Sequence, residues 1–312
     1  MKNIDIIGDI HGHSDELVLL LEKMGYKESK GVYAHPENKV IFLGDLIDRG
    51  PKQKETLQIV RRMVEERSAT CLMGNHEFNA ICFHTPSVAE PGKYLRPHNK
   101  KNLKQHNAFL QKFKQGSKEC LDIINWFKTL PLYLELDSLI SVHACWDQRS
   151  IDKLKPYLNS ENRVENEELF YLAACPGTEQ FLAIESVLKG PEIKLPDGFN
   201  FSDKDGTIRD TARIKWWLDG SQTFHSGTML DDIARKTVPD KPISPGEFIS
   251  YSDKNVPVFF GHYWFRGNPE LCSPHATCLD YSVARGGKLC AYRWQGEKRL
   301  KPEHFVTIDA LS

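Results

Sequence analysis

A short polar turn at residues 44–50, with the sequence GDLIDRG, holds two carboxylates and a guanidinium directly after the apolar run VIFL. An apolar run of this kind predicts a buried strand that ends at a tight turn. Ligands of an open α/β sheet collect at the carboxyl ends of its strands, so Asp45, Asp48 and Arg49 are expected to face a site. Taken alone, the turn also fits a purely backbone role for its Asp and Gly residues.

Other predicted strand ends carry side chains of matching chemistry. The motif GDIHG at residues 8–12 holds a carboxylate and an imidazole two positions apart, which places both on one side of an extended segment. The motif GNHE begins at residue 74, and two later apolar runs each lead to a histidine. In chain order the strand ends deliver Asp9, His11, Asp45, Asn75, His143 and His262. A set of carboxylates, imidazoles and one amide, without thiolates, favours catalytic manganese, iron or zinc over a structural zinc centre.

The blocks GDIHG, GDLIDRG and GNHE, in this order, resemble the calcineurin-like metallophosphoesterases. Within that superfamily the chain is similar to the phosphoprotein phosphatase branch and to its bacterial dinucleoside-tetraphosphatase relatives. The resemblance implies an α/β fold in which a layered β-sandwich is flanked by helices. The chain length favours one domain over residues 1–312. Two insertions lie wholly or mostly outside the resemblance, a basic helical segment at about 78–129 and a lid at about 147–255.

The same resemblance assigns metal ligands position by position. Asp45 is expected to bridge two divalent ions, with Asp9 and His11 completing the first site. The ligands expected to complete the second site are Asn75, His143 and His262. Manganese is the first expectation for both ions, with iron, zinc, nickel and cobalt as alternatives.

The resemblance also implies a reaction, in which a metal-bridging hydroxide attacks phosphorus in line. His76 is expected to protonate the leaving oxygen while Asp48 orients its ring. Arg49 would bind the phosphoryl oxygens through its planar fork. For the second phosphate-binding arginine, Arg213 is preferred to Arg209.

Several substrate classes stay open. A nucleotide polyphosphate such as a dinucleoside tetraphosphate is the first expectation, and the closing region of the chain favours it. A phosphorylated serine or threonine of a protein and an RNA-end phosphate are the alternatives. A binding protein on an inactive phosphatase fold is disfavoured because every ligand position that can be matched is filled.

Two segments outside the resemblance carry charge patterns of their own. Between Glu90 and Glu119 the chain has no acidic residue but many lysines, and residues 102–115 have helical periodicity. This pattern fits either a solvated surface helix or a source of positive potential for a polyanionic substrate, supplied by Lys100, Lys101 and Lys104. Further along, Asp203 and Asp205 have the look of a calcium loop, but the remaining ligand positions are missing.

The GHYW motif at residues 261–264 departs from the wider superfamily, where a second histidine often stands at the fourth position. Trp264 has no lone pair to donate at that place. The first metal would then keep only Asp9, His11 and Asp45 as protein ligands. We therefore expect the first metal to be the more exchangeable of the two.

Composition limits the class of protein and its cellular compartment. A chain of 312 residues that is 40% hydrophobic can bury a sizeable core. Its formal net charge of −1 argues against a globally basic nucleic-acid binder. The eight cysteines form no CxxC pair, no apolar run is long enough to cross a membrane, and a strand is predicted at the very start of the chain. These features predict a reduced, cytoplasmic protein without a membrane partner and leave its oligomeric state open.

Overall fold

The computed structural model describes residues 3–202, 206–244, 246–251 and 256–311. The strands in chain order are β1 (Asn3–Ile7), β2 (Lys27–Ser29), β3 (Val32–Ala34), β4 (Asn38–Phe42), β5 (Ala69–Cys71), β6 (Tyr133–Leu136), β7 (Leu139–Val142), β8 (Glu192–Lys194), β9 (Phe201–Ser202), β10 (Ile208–Arg209), β11 (Thr211–Arg213), β12 (Val258–Phe260), β13 (Ala276–Cys278), β14 (Asp280–Tyr281), β15 (Lys288–Trp294) and β16 (Phe305–Asp309). The α-helices are α1 (Ser14–Lys23), α2 (Gln53–Glu65), α3 (Asn75–His84), α4 (Lys100–Lys112), α5 (Lys118–Lys128), α6 (Gln148–Leu154), α7 (Glu168–Ala173), α8 (Glu179–Lys189), α9 (Phe224–Gly227) and α10 (Asp232–Thr237).

Two mixed sheets form the centre of the fold. The first has the order β14-β15-β1-β4-β5, with β16 also paired to β15, and its strands β1, β4 and β5 run parallel. The second has the order β13-β12-β7-β6, in which only β6 is antiparallel to its neighbour. Parallel neighbours end at the same edge of a sheet, so the loops that follow β1, β4 and β5 meet there.

The alternation of side chains along the strands explains why the sheets stack. In β1, Ile4 and Ile6 join an apolar cluster that also contains Leu139 of β7 and Phe259 of β12, whereas Ile7 belongs to the main core on the opposite face. Successive residues of a strand point to opposite faces, so one face meets the other sheet and one meets the helices. The predicted layered β-sandwich flanked by helices is confirmed.

The first helix buries one apolar face. Leu17, Leu20 and Leu21 of α1 are fully buried, as expected for positions three and four residues apart. The chain leaves the helix through Gly25, whose φ of +88° is accessible to glycine at little cost. Helix α2 begins at Gln53, two residues after Pro51.

The two segments predicted as insertions supply α3 to α5 and α6 to α10, with short two-stranded ribbons in the second segment. Helix α3 begins at Asn75, so the helical segment starts inside the GNHE motif. Asp203 and Asp205 lie outside the described residues. The single-domain organisation stays a prediction.

The tail contributes strands to both sheets. Strand β13 pairs with β12 in the second sheet, while β14 pairs with β15 in the first, so the chain crosses between sheets at Leu279.

All eight cysteines are free thiols. Among the described helices, none combines the length and apolar character needed to cross a membrane.

Candidate metal centre

Five of the predicted site residues gather into two clusters that share one carboxylate. Ligand atoms of His11, Asp45 and His76 all lie within 4.8 Å of one another, and the same holds for Asp45, His143 and His262. All five residues are buried. We call these the first and the second ligand group. Asp45 belongs to both, which is the position expected of a bridging ligand.

Asn75 and Asp9 lie beside these groups. The Oδ1 atom of Asn75 is 3.2 Å from Nε2 of His143, which places the amide at the second group. The Asp9 carboxylate accepts hydrogen bonds from the backbone N–H of His262, at 3.1 and 3.3 Å, and belongs to neither group. Burial and the neighbouring carboxylate of Asp280 raise its pKa well above the usual range.

The imidazoles are oriented as metal ligands would be. Nδ1 of His11 donates to the carbonyl oxygen of Ile47 at 2.9 Å, and Nδ1 of His143 donates to that of Leu43 at 2.7 Å. Each Nε2 atom is thereby directed at its ligand group, a common arrangement for metal-bound histidines. Nε2 of His11 and both ring nitrogens of His262 are buried without a hydrogen-bond partner among the described residues. A buried unpaired nitrogen is costly, so these residues fit a divalent metal centre.

The protonation states of the ligands agree in most cases with metal binding. Burial and the neighbouring His76 lower the pKa of His11 to about 3, and burial with nearby Arg213 depresses that of His262. Burial alone would raise the pKa of Asp45, but His143 and His76 hold it well below its usual value. For His143, burial opposes the charge, yet Asp45 raises the pKa to about 10. Metal binding at His143 therefore requires release of a proton.

The predicted acid and its partner are in direct contact. Nδ1 of His76 donates to Oδ2 of Asp48 at 2.5 Å, and Nε2 of His76 lies 3.9 Å from Oδ2 of Asp45. Burial would lower the pKa of His76, but the two carboxylates outweigh burial and raise it. The other oxygen of Asp48 accepts from Nδ1 of His106 at 2.8 Å. His106 was not predicted, because it lies 58 residues along the chain within the helical insertion.

The buried carboxylate of Glu77, which was also missed from the sequence, links the GDLIDRG and GNHE motifs. Glu77 accepts three backbone hydrogen bonds, from Asp45 and Leu46 at 2.8 Å and from Gly74 at 2.9 Å. The approach of the two turns is so close that a Cβ atom at Gly74 would lie 2.3 Å from Oδ1 of Asp45. The only sequence signal was the Glu that closes GNHE.

Left-handed backbone conformations recur in the loops that follow strands β1, β4 and β12. Among the predicted site residues, positive φ angles occur at His11, Asp45, Asp48, Arg49 and His262. Non-glycine residues adopt this region at a cost of about 1–3 kcal/mol each and keep it only where the surroundings impose it. Backbone hydrogen bonds between the loops, such as those from Ile10 and His11 to the Asp45 carbonyl, impose it here.

The predicted phosphate-binding arginines all line one cleft. The guanidinium of Arg49 lies 4.0 Å from the centre of the Trp264 indole, and Arg285, which was not predicted, lies 4.7 Å from it. Arg213 lies over the Tyr263 ring at 5.4 Å, and its Nε is buried without a partner among the described residues. Arg209 also lines the cleft but is exposed.

The cleft has a volume of about 900 Å³ and is bordered by both insertions. Its cationic lining residues are Arg49, Arg96, Lys101, Lys189, Arg209, Arg213 and Arg285. Of the three lysines predicted to supply positive potential, Lys101 lines the cleft, whereas Lys100 and Lys104 are exposed residues outside the lining. Arg96 is held by neutral acceptors, Oδ1 of Asn79 at 2.8 Å and Oε1 of Gln105 at 2.9 Å.

Comparisons with known proteins point to one family. A model of the calcineurin-like phosphoesterase family matches residues 2–169. The bis(5'-nucleosyl)-tetraphosphatase PrpE (asymmetrical) of Oceanobacillus iheyensis is 33% identical over 153 residues, 48% of this chain and 59% of that protein, so the match spans less than two thirds of this relative. The symmetrical bis(5'-nucleosyl)-tetraphosphatase of Psychromonas ingrahamii is 25% identical over 94% of both chains. The structure of a Saccharomyces cerevisiae protein serine/threonine phosphatase with similarity to human PP5 has a TM-score of 0.52 at 12% identity, covering 99% of this chain and 80% of that one, and supports the fold alone.

Proposed function

Because the chain belongs to the calcineurin-like phosphoesterase family, we propose that it is a two-metal phosphohydrolase acting on a nucleotide polyphosphate such as a dinucleoside tetraphosphate. The observation that carries this proposal is the position of Asp45 in both ligand groups. A carboxylate shared by two sets of buried imidazoles is what a pair of adjacent divalent ions requires.

The ligand assignment follows the two groups. His11 and Asp45, with Asp9 beside them, would hold the first ion, and Asn75 would join Asp45, His143 and His262 around the second. Manganese suits this set of oxygen and imidazole donors, and iron, zinc, nickel and cobalt are alternatives. Two such ions, when bound, supply a hydroxide nucleophile at neutral pH and positive charge for the phosphoryl oxygens.

His76 has the geometry of the general acid. Its Nδ1 is fixed by Asp48 at 2.5 Å, so Nε2 is the atom that can deliver a proton. That atom faces the ligand cluster, 3.9 Å from the carboxylate of Asp45, where a phosphate ester would bind. The neighbouring carboxylates favour its charged form, which lets the ring donate a proton to a leaving oxygen near neutral pH.

We assign two guanidinium groups to binding of the phosphoryl oxygens. Arg49 is held against the Trp264 indole, so its planar fork is oriented before a substrate arrives. We assign Arg213 as the second group in preference to Arg209. Arg213 is close enough to His262 to depress its pKa and has a buried Nε free to bind an anion, whereas Arg209 is exposed.

The charge of the cleft favours a substrate with several phosphates. Seven cationic residues line it against four acidic ones, which are Asp45, Asp147, Glu185 and Glu192. The cations of the insertions form two parts, Arg96 with Lys101 and Lys189 with Arg209. A single phosphate could contact only a small part of this cationic surface. A chain of phosphates could contact both parts, as the substrates named for the two relatives would.

The test begins with p-nitrophenyl phosphate and manganese. The protein should turn over this ester, and Asp45→Asn should abolish turnover while leaving the fold intact by circular dichroism. Absence of turnover by the wild-type protein with every divalent metal would contradict the proposed activity.

Substrate class is tested separately, by comparing dinucleoside polyphosphates with phosphopeptides at matched concentration. We expect a higher kcat/KM for the dinucleoside polyphosphates. A clear preference for phosphopeptides would contradict the substrate proposal and favour a protein phosphatase.

A further inference from the structure

We propose that His106 is a positioning residue for the general acid His76, acting through Asp48, and that it forms the inner end of a hydrogen-bonded chain through the helical insertion. This inference rests on the role of His76 in the proposed function. It concerns residues that the sequence did not single out, and it gives the insertion a part in the chemistry.

The two oxygens of Asp48 have separate partners. Oδ2 accepts from Nδ1 of His76 at 2.5 Å, and Oδ1 accepts from Nδ1 of His106 at 2.8 Å. The backbone of Asp48 is also fixed, since its N–H donates to Oε1 of Gln53 at 2.8 Å. Rotation of the carboxylate about its last torsion, which is broad in an unrestrained side chain, would break both imidazole contacts. His106 therefore locks the orientation of the carboxylate that orients His76.

His106 is itself held in one position. It is 5% exposed, its ring is stacked on Phe109 with centroids 4.6 Å apart, and Phe83 lies 5.1 Å away. A buried ring packed in this way keeps a single rotamer. Its hydrogen bond to Asp48 is consequently formed before any substrate binds.

Beyond His106 the chain of contacts continues to α5. Nε2 of His106 lies 3.3 Å from Nε2 of His84, and Nδ1 of His84 lies 3.8 Å from Sγ of Cys120. Burial lowers the pKa of His84 to about 4, and burial raises the pKa of the Cys120 thiol.

When both imidazole rings are neutral, the donor and acceptor of each hydrogen bond in this chain are fixed. A carboxylate can only accept, so Nδ1 of His106 carries the proton and its Nε2 is an acceptor. His84 must then donate from Nε2, and its Nδ1 accepts from the Cys120 thiol. Each residue thus donates toward Asp48, and hydrogen bonds aligned in one direction reinforce one another.

This chain joins the helices of the insertion to the catalytic loop. His76 and His84 stand in the first and last turns of α3, His106 is in α4 and Cys120 is in α5. Metal binding does not explain the cluster, because His84, His106 and Cys120 form no ligand group among the described residues. Orientation of Asp48 is the function that their contacts support.

The experiment compares two esters of similar size whose leaving groups differ in their need for a proton. Phenolate is a much poorer leaving group than p-nitrophenolate, so phenyl phosphate depends more on the general acid. In His106→Phe, which keeps an aromatic ring but removes the donor, we expect kcat for phenyl phosphate to fall about tenfold and kcat for p-nitrophenyl phosphate about twofold. KM should change little for either ester. His106→Asn, whose amide N–H can take the place of Nδ1, should recover most of the loss.

His98→Phe is the matched control. His98 is another histidine of the insertion, stacked between Phe83 and Tyr94, and its Nε2 donates to the Phe83 carbonyl at 2.9 Å without contact to Asp48. This variant should leave the ratio of the two kcat values unchanged. Equal losses on both esters in His106→Phe, or the same change of ratio in His98→Phe, would overturn the proposal.

A second measurement keeps the inference separate from the proposed activity. Nitrogen-15 NMR of the histidine side chains in the wild-type protein should show His106 protonated at Nδ1 and His84 protonated at Nε2. Asp48→Asn should shift the Nδ1 proton of His106. If the wild-type protein hydrolyses neither ester, the proposed function fails, whereas an Nδ1 of His106 without a proton overturns the positioning role whatever the activity.

Discussion

The strand-end loops and the walls of the cleft are built in different ways. In the loops, Asp45 is 1% exposed, adopts a left-handed backbone, and receives its position from hydrogen bonds to Glu77. On the walls, Lys101 and Arg209 are exposed and carry long side chains with many rotamers. From this difference we expect the backbone to fix the reactive groups and the adaptable side chains of the insertions to contact the substrate. Changes in the loops should therefore affect kcat, and changes on the walls should affect KM.

The largest effect is expected from removing the shared ligand. In Asp45→Asn both ligand groups lose their common carboxylate, and we expect kcat for p-nitrophenyl phosphate to fall at least about a thousandfold. The bound metal content, measured by elemental analysis, should fall with it. Glu192→Gln removes a carboxylate from the rim of the same cleft and should keep near wild-type turnover. A comparable loss in both variants would remove the distinction between loop and wall.

The next effect separates the two ligand groups. Titration of the metal-free protein by calorimetry should show two unequal sites, with His11→Ala removing the weaker and His143→Ala the tighter. The physical reason is that Trp264 offers no lone pair, so the first ion has few protein ligands. Each variant should lower kcat about a hundredfold at limiting manganese, and excess manganese should restore neither fully. Loss of the tighter site in His11→Ala would show that the ligand assignment is wrong.

An intermediate effect is expected where the walls approach the loops. Arg213→Met should lower kcat/KM about tenfold to a hundredfold, because a charge-assisted hydrogen bond to phosphate is worth about 1.5–3 kcal/mol. Arg209→Met is the matched variant on the same wall and should cost about threefold or less, since its guanidinium is exposed. Steady-state kinetics with p-nitrophenyl phosphate shows which variant loses more kcat/KM. A larger loss in Arg209→Met would reverse the assignment of the second phosphate-binding arginine.

The smallest effect belongs to the helical insertion. Lys101→Ala should raise KM for a dinucleoside tetraphosphate about twofold to fivefold, with the effect shrinking as salt increases, because exposed charges contribute about 0.2–1 kcal/mol. KM for p-nitrophenyl phosphate should stay unchanged. Lys100→Ala and Lys104→Ala, on the same helix but outside the cleft, serve as controls. Equal effects of all three variants would point to general potential from the insertion rather than a contact by Lys101.

Much of the site could be predicted because its motifs are local. Asp9, Asp45 and His143 each follow an apolar run, and each run forms a strand that ends just before its motif. The side-chain types at those ends then limited the chemistry to metal and phosphate binding. The grouping of Asp9 with the first metal stays a prediction. Its carboxylate lies against the His262 backbone, and the third side chain of the first ligand group is His76, the expected general acid.

The residues that sequence reasoning missed have partners far along the chain. His106 reaches Asp48 across 58 residues, and Glu77 reaches Asp45 across 32. Arg285 stands over Trp264 because the turn before β15 packs beside the β12 loop. No spacing or periodicity encodes such contacts, since they depend on how separate elements pack.

The amino-acid sequence by itself determined the strand ends, the ligand types and the family, because hydrophobic runs, turns and donor atoms are properties of a few adjacent residues. Tertiary structure alone decided that Glu77 joins the two turns, that Lys101 rather than Lys100 lines the cleft, and that His106 reaches the carboxylate of Asp48. Each of these depends on the relative placement of elements remote in the chain. That placement is set by burial of the whole core, which no local pattern specifies.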